Sequence, residues 1–224
     1  MTDVLRTLGT LWTHGVLLPA IGHSLLRCLY GFGASVLVGV PLGVLLTLQT
    51  PWGALRKVLR PVLAAVQSLP AAALVPVAVV ALGENEAAVY TVVLLGAAPS
   101  IAVGVAGALD QVPPLLTRAA WSLGSGGLHR VLHVRVPAAM PGITAALKQG
   151  WTFGWRALMT AELITSVPLP GVGRILDEGK QHDDPALVLA AVTVILTIGV
   201  TVECLLFAPL ERRVLTTRGL LHTP

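Results

Sequence analysis

The sequence predicts an all-α integral membrane protein with five membrane-spanning helices, and three observations carry that expectation. Of 224 residues, 54% are hydrophobic and only 12% charged, with a mean hydropathy of +0.80, far too apolar for an ordinary soluble domain. Five apolar stretches approach or exceed the roughly 20 residues needed to cross about 30 Å of hydrocarbon. Between the third and fourth lies one long polar interruption, residues 110–142.

Residues 1–22 carry Asp3, Arg6, Trp12 and His14 on a broken amphipathic pattern, which reads as an interfacial helix. The polar start and the lack of a small-residue cleavage site argue against a removed signal peptide. The first span is expected over 23–48. The 28 residues from Cys28 to Leu55 hold no charge, and Pro41 is expected to kink the helix. A basic turn with Arg56, Lys57 and Arg60 covers 49–60. The second span, 61–82, is broken by Pro70 and Pro76. Proline in a spanning helix frees carbonyls that protein or water must satisfy, so Gln67 and Ser68 at the break become candidates for lining a pathway. An acidic turn, 83–86, leads to the third span, 87–109, which contains Pro99.

Residues 110–142 read as two short helices joined by glycines. Pro113 and Pro114 suit a helix start, and Leu115, Leu116, Ala119, Ala120 and Leu123 recur at helical spacing. Gly124, Gly126 and Gly127 end that piece. The second piece, 128–136, is expected to put Leu128, Val131, Leu132 and Val136 on one face, before Pro137 and Pro141 mark the next entry.

The fourth span, 141–166, is the most polar. At about 100° per residue, Lys148, Thr152, Arg156 and Glu162 fall within an arc of about 120°. Charges at membrane depth point inward or mark a path, so Arg156 and Glu162 are either a buried ion pair or pathway-lining residues. Residues 167–184 are expected as a loop, 185–207 as a fifth span carrying Glu203, and 209–224 as a basic tail.

Several other chemistries are weighed and set aside. The segment 168–174, PLPGVGR, has glycines but no following Lys-Ser or Lys-Thr and no preceding strand, which leaves an external turn rather than a phosphate loop. His129 and His133 share a helical face without a third ligand, so no metal is expected. Basic residues are not interleaved with aromatics, which disfavours nucleic acid and favours an anionic lipid surface. Cys28 and Cys204 sit far apart in apolar segments and are read as small buried hydrophobes. No serine lies in a nucleophile-elbow context, and Glu162 with Glu203 is thin support for a membrane-embedded enzyme.

Sidedness follows from charge. The segments 49–60 and 110–142, Lys148 and the tail carry Arg56, Lys57, Arg60, Arg118, Arg130, Arg135, Lys148, Arg212, Arg213 and Arg218 against only Asp110 and Glu211. The N-terminus, 83–86 and 167–184 carry Arg6, Arg174 and Lys180 against seven acids. The positive-inside rule therefore places 110–142 and the C-terminus in the cytoplasm and the N-terminus outside.

The run Arg118-Ala119-Ala120, then Gly124, then Val134-Arg135-Val136-Pro137 resembles the EAA loop of bacterial ABC importer permeases: Glu-Ala-Ala, three residues, Gly, nine residues, apolar-x-apolar-Pro. Arg118 stands where that pattern has glutamate. Ser24-Leu25-Leu26-Arg27, Pro41-Leu42-Gly43, Gln67-Ser68-Leu69-Pro70, Pro76, Ala161-Glu162-Leu163 and Leu210-Glu211-Arg212-Arg213 extend the likeness, which is most similar to the nitrate, sulfonate and taurine branch. The resemblance implies a type I permease arrangement, a transmembrane domain over 23–208 and a coupling helix in 110–142. Arg118, Ala119, Ala120, Gly124 and Pro137 would couple the chain to the ATPase, the small residues by letting the loop helix sit closely in its groove and Pro137 by fixing the angle at which motion passes to the next span. It implies two permease copies, two ATPase subunits that bind ATP and Mg²⁺, and an extracytoplasmic solute-binding protein, all in the cell membrane. Arg156 suits a small anion such as a sulfonate, taurine or nitrate, while related branches also carry neutral and cationic solutes. A membrane scaffold or a non-ATP carrier is the competing class.

Overall fold

The computed structural model describes residues 2–48, 53–165 and 167–218, and among these it contains helices and no strand. The expected positions 49–52, Ser166 and 219–224 lie outside the described residues. The first helix, α1 (Thr2–Thr13), ends at Gly15, whose φ of +69° turns the chain into α2 (Leu17–Leu45). The first span thus starts six residues before the expected His23, and the interfacial element is correspondingly shorter. Residues 17–22 are apolar, and Pro19 falls in the first turn, where no amide hydrogen is needed. Helix α2 runs on through Pro41.

The expected basic turn and second span are rearranged. Residues from 53 onward are already helical: α3 (Gly53–Ser68) carries Arg56, Lys57 and Arg60, and α4 (Ala71–Leu82) leaves it at 100°. Val58, Val62 and Val66 at i, i+4 spacing support one stripe of α3, which explains a helix where charge alone suggested a turn. The bend sits at Leu69–Pro70 because proline disfavours helical angles in the residue before it, and Pro70 itself is extended at φ −60°, ψ 136°. Pro76 lies inside α4 without ending it.

Gly83, at φ +82°, closes α4, and Asn85 caps α5 (Glu86–Asp110) by accepting from the Ala88 amide at 3.2 Å. Residues 110–139 form α6 (Pro114–Ser122), α7 (Gly127–Arg130), a π-helical turn (Val131–Arg135) and α8 (Val136–Ala138). Helix α9 (Met140–Ile164) follows. The expected loop after it contains α10 (Val172–Gln181), an amphipathic helix that buries Val172, Ile175 and Gly179. Helix α11 (Pro185–Val202) is capped by Asp184 and passes through a second π turn (Glu203–Phe207) into α12 (Ala208–Thr217). Much of the expected tail is therefore a continuation of the last helix.

Helices α2, α5 and the run Pro185–Thr217 are long and apolar enough to cross a membrane, and the bent α3–α4 pair is a fourth candidate. The remaining expected span is α9, which at 25 residues has the length but a lower hydropathy. Helix α5 is the spine, packed between α2 and α9. Its backbone is approached closely: a Cβ built on Gly43 of α2 would lie 2.7 Å from the Ala102 carbonyl oxygen, and one on Gly39 would lie 2.8 Å from that of Ala98. Small residues let spanning helices dock where lipid tails supply no hydrophobic drive. Phe32 of α2 meets Trp151 of α9 edge-on at 5.4 Å, joining the outer helices of the trio.

Gly43→Val should separate α2 from α5, since the obstacle is main-chain oxygen that cannot rotate away. Overpacking of this kind costs about 1–3 kcal/mol. The expected outcome is a Tm several degrees lower in detergent, with Gly33→Ala, in open space, as the unaffected control.

Candidate functional site

Three groups of side chains bear on function, at the two ends of the trio and along its flank. At one end the loop 110–139 projects from the packed body. Helix α6 begins as expected, with Pro113 extended as cap and Pro114 as first residue. It stops at Gly124, whose φ of +80° lets the Gly124 and Ser125 amides donate back to the carbonyls of Trp121 at 2.9 Å and Ala120 at 3.0 Å. A Cβ on Gly124 would meet nothing within 4 Å, so within the chain glycine is required by backbone angle rather than by crowding.

Arg118 and Ala119 are exposed on α6, whereas Ala120 is buried against the chain itself. The outward surface is apolar: Leu115 is 73% exposed, Trp121 71% and Leu123 87%. The expected stripe Leu128, Val131, Leu132 and Val136 does not form as one buried face. Val131 is buried and Val136 half-buried, but Leu128 and Leu132 are exposed; the π turn over Val131–Arg135 also shifts Val136 around the axis relative to the first three. The His129 and His133 rings stack at 4.0 Å on the surface.

Arg135, on the same π turn, fastens the loop to the body. It donates to the Leu109 carbonyl at 3.0 Å and the Thr47 carbonyl at 3.4 Å, filling acceptors near the C-terminal ends of α5 and α2. Pro137, half-buried in α8, follows directly and leads into α9. Alongside, Arg56 and Arg60 of α3 converge on Asp110 at 3.3 and 2.7 Å.

On the flank, the α3–α4 bend opens a cavity of about 610 Å³. Gln67, Ser68 and Arg156 all line it, with Leu69, Pro70, Leu74 and Phe153 among the apolar walls. Three of the four pathway candidates thus share one space. Glu162 does not join them. It is six residues beyond Arg156, about 9 Å along the axis and about 120° around it, so the two face different neighbours. The ion pair considered between them is absent.

Glu162 sits instead in a buried network at the opposite end from the loop, 1% exposed. It accepts from Ser24 Oγ at 3.0 and 2.7 Å, from Arg27 Nη1 at 3.0 Å and from the Gly173 amide at 3.1 Å. Arg27, 2% exposed, also donates through Nε to Glu86 at 2.7 Å and through Nη2 to Glu86 and to the Leu169 carbonyl, the latter at 2.6 Å. Ser24 Oγ accepts from the Val172 amide at 2.9 Å. The carboxylate therefore neutralises the first turn of α10 as well as a guanidinium. Arg27, Ser24 and Glu86 were not singled out as site residues from sequence. The signal available was a lone arginine inside an apolar stretch, which at membrane depth demands carboxylates elsewhere in the chain.

A third cation, Lys148 of α9, is held by Glu203 at 2.5 Å and Glu211 at 3.6 Å, joining α9 to the second π turn and α12. Glu203 and Glu162 thus contact positions 14 residues or about 21 Å apart on α9, and do not form a shared carboxylate site.

Residues 39–215 match the model of the binding-protein-dependent transport system inner membrane component. The chain belongs to that family. This permease is 29% identical to the taurine transport system permease protein TauC of Escherichia coli (strain K12), over 94% of the chain and 72% of the relative. It is 27% identical to the bicarbonate transport system permease protein CmpB of Synechococcus elongatus, over 80% of the chain and 63% of the relative. Its fold is that of a chain in an inward facing structure of the MetNI methionine ABC transporter, with a TM-score of 0.77 at 21% identity, covering 90% of this permease and 97% of that chain.

The network sets an order of sensitivity. Arg27→Met leaves Glu162 buried without its cation, a defect worth about 3–5 kcal/mol, and should sharply reduce folded protein. Glu162→Gln keeps shape and most hydrogen bonds and should be milder by monodisperse yield and Tm. At Gly124, Asn should be tolerated better than Val, because asparagine visits left-handed angles and β-branched residues do not. Proteolysis rates across the loop would compare the two.

Proposed function

We propose that this permease, paired with a second copy, forms the membrane pathway of an ATP-driven importer for a small anion. Its cavity at the α3–α4 bend serves as part of that pathway. Two partner ATPases bind ATP and Mg²⁺ and grip the loop 110–139, and an extracytoplasmic binding protein delivers the solute at the Arg27–Glu162 end. The charge balance favours the loop and C-terminus in the cytoplasm and the N-terminus outside. The names of its relatives, taurine and bicarbonate permeases, support an anion.

The observation that carries this reading is the loop's outward face. Leu115, Trp121 and Leu123 stand exposed on and just after a helix that lies beyond the packed trio, while Arg135 fastens the base of the loop to that body. An apolar, aromatic-bearing surface of this kind fits a protein groove. Force on the loop would pass through Pro137 into α9. Closure of the ATPases would then shift the population between two arrangements of the pathway, by an amount set by their differential binding.

Purification of the native membrane complex tests this. An ATPase with a phosphate-loop motif should co-purify, and its absence would leave the membrane scaffold reading. Arg118, exposed on α6, should meet an acidic side chain of that ATPase. Arg118→Glu is expected to weaken co-purification about tenfold, the scale of one lost charge-assisted contact. Tighter docking of that variant would refute the complementary-charge idea.

A further inference from the structure

Among the described residues, every buried or half-buried arginine and lysine but one has a partner within the chain. Arg27, Arg56, Arg60, Lys148 and Arg174 pair with carboxylates, and Arg135 with main-chain carbonyls. Arg130 is the exception. Half-buried at the end of α7, its guanidinium has no ion-pair or hydrogen-bond partner among those residues. A permanent cation partly withdrawn from water gains from an anion brought to it.

Arg130 opens onto a cavity of about 380 Å³ between the loop and the end of α2. Arg135 and Thr117 line it too, Leu48, Leu128 and Val131 form an apolar wall, and no carboxylate lines it among the described residues. Both polar neighbours have donors left to offer. Arg135 engages two of its five N–H groups on carbonyls, and the Thr117 hydroxyl, half-buried on α6, makes no hydrogen bond within the described residues.

The position of the cavity decides which anion suits it. Thr47 and Leu48 directly follow α2, a helix long and apolar enough to span a bilayer, so the cavity lies where hydrocarbon gives way to headgroups. The charge balance puts that level in the cytoplasmic leaflet. Leu128, 60% exposed, carries the apolar wall out to the surface. A soluble oxyanion would leave that wall uncovered, whereas the glycerol and acyl part of a lipid would cover it.

We propose that this cavity is a headgroup site for an anionic phospholipid of the cytoplasmic leaflet. The phosphate sits between Arg130 and Arg135, one of its oxygens accepts from the Thr117 hydroxyl, and the glycerol end lies against Leu48 and Leu128. The bound lipid bridges the loop to the end of α2 beside the tether that Arg135 makes. The assignment rests on the cytoplasmic placement of the loop and is independent of the solute carried.

The permease, purified from the membrane with its partners into neutral detergent, is titrated with dioleoyl phosphatidylglycerol or dioleoyl phosphatidylcholine, and retained lipid is counted by native mass spectrometry. The wild type should hold one phosphatidylglycerol per copy about tenfold more tightly than phosphatidylcholine, and Arg130→Gln should remove that preference, the scale of one charge-assisted hydrogen bond. Thr117→Val should weaken it about threefold. Neither variant should change Tm in phosphatidylcholine, because neither side chain has a partner within the chain, while phosphatidylglycerol should raise the Tm of the wild type and not of Arg130→Gln. Arg213→Gln, exposed on α12, should stay within about twofold of the wild type, since it removes only diffuse surface attraction.

Equal affinity in wild type and Arg130→Gln, or an equal loss in Arg213→Gln, would overturn the proposal in favour of a diffuse basic surface. Inorganic phosphate that raises the Tm as phosphatidylglycerol does and displaces it would assign the cavity to a soluble anion instead. Retention seen only after an ATPase is stripped away would give the cavity to acidic side chains of that partner and would equally overturn it. Failure of the importer reading looks different: no co-purifying ATPase, with lipid retention intact.

Discussion

The arrangement depends on one buried contact set, the Arg27 guanidinium clasped between Glu162 and Glu86. Each partner comes from a different helix, α2, α9 and α5, so one charge fixes the mutual height of all three. The same Glu162 carboxylate accepts from the first turn of α10, and the fit leaves no room for a larger residue. A Cβ on Gly171 would lie 2.3 Å from the carboxylate oxygens, and one on Gly173 would lie 2.5 Å from Glu162 Cβ. Buried ions of this kind are not a cheap source of stability, because desolvation offsets much of the attraction. What they confer here is registry: slide any of the helices by one residue and a charge is stranded.

Away from that end the constraints change in kind. Along the middle of the trio the glycines of α2 bring it against the α5 backbone, and contact is by close packing rather than charge. At the loop end the hold is lighter still, through Arg135 on two carbonyls and the exposed Arg56–Arg60–Asp110 cluster. Exposed ion pairs contribute little individually. The gradient runs from a charge-locked end to a loosely fastened one, which suits a body worked from its lighter side.

Much of this was legible in the chain. The third span appeared within a residue of its expected bounds because nothing polar interrupts it. The helix break at Pro70 and the stop at Gly124 followed from proline and glycine backbone chemistry, and Gln67, Ser68 and Arg156 proved to share one cavity. The misses have physical causes. Arg56, Lys57 and Arg60 read as a turn because charge masked the apolar stripe of α3, and α10 was hidden because ten residues with four charges carry few apolar positions. Glu162 was grouped with Arg156 because an arc of about 120° is too wide to be a single face when neighbours pack on both sides of it. No periodicity argument pairs Arg27 with Glu162, 135 positions away.

The π turn at Glu203–Phe207 has a geometric consequence for Lys148. Eight residues separate Glu203 from Glu211, and on a regular α-helix that puts them about 80° apart. One extra residue wound into the intervening turn reduces the effective separation to seven, so the two carboxylates come to within about 20° of one another and can reach the same ammonium. The turn acts as a vernier. Were it to relax to ordinary winding, one carboxylate would swing away from Lys148 while the other stayed, so a local change of pitch would be converted into a change of charge contact on α9.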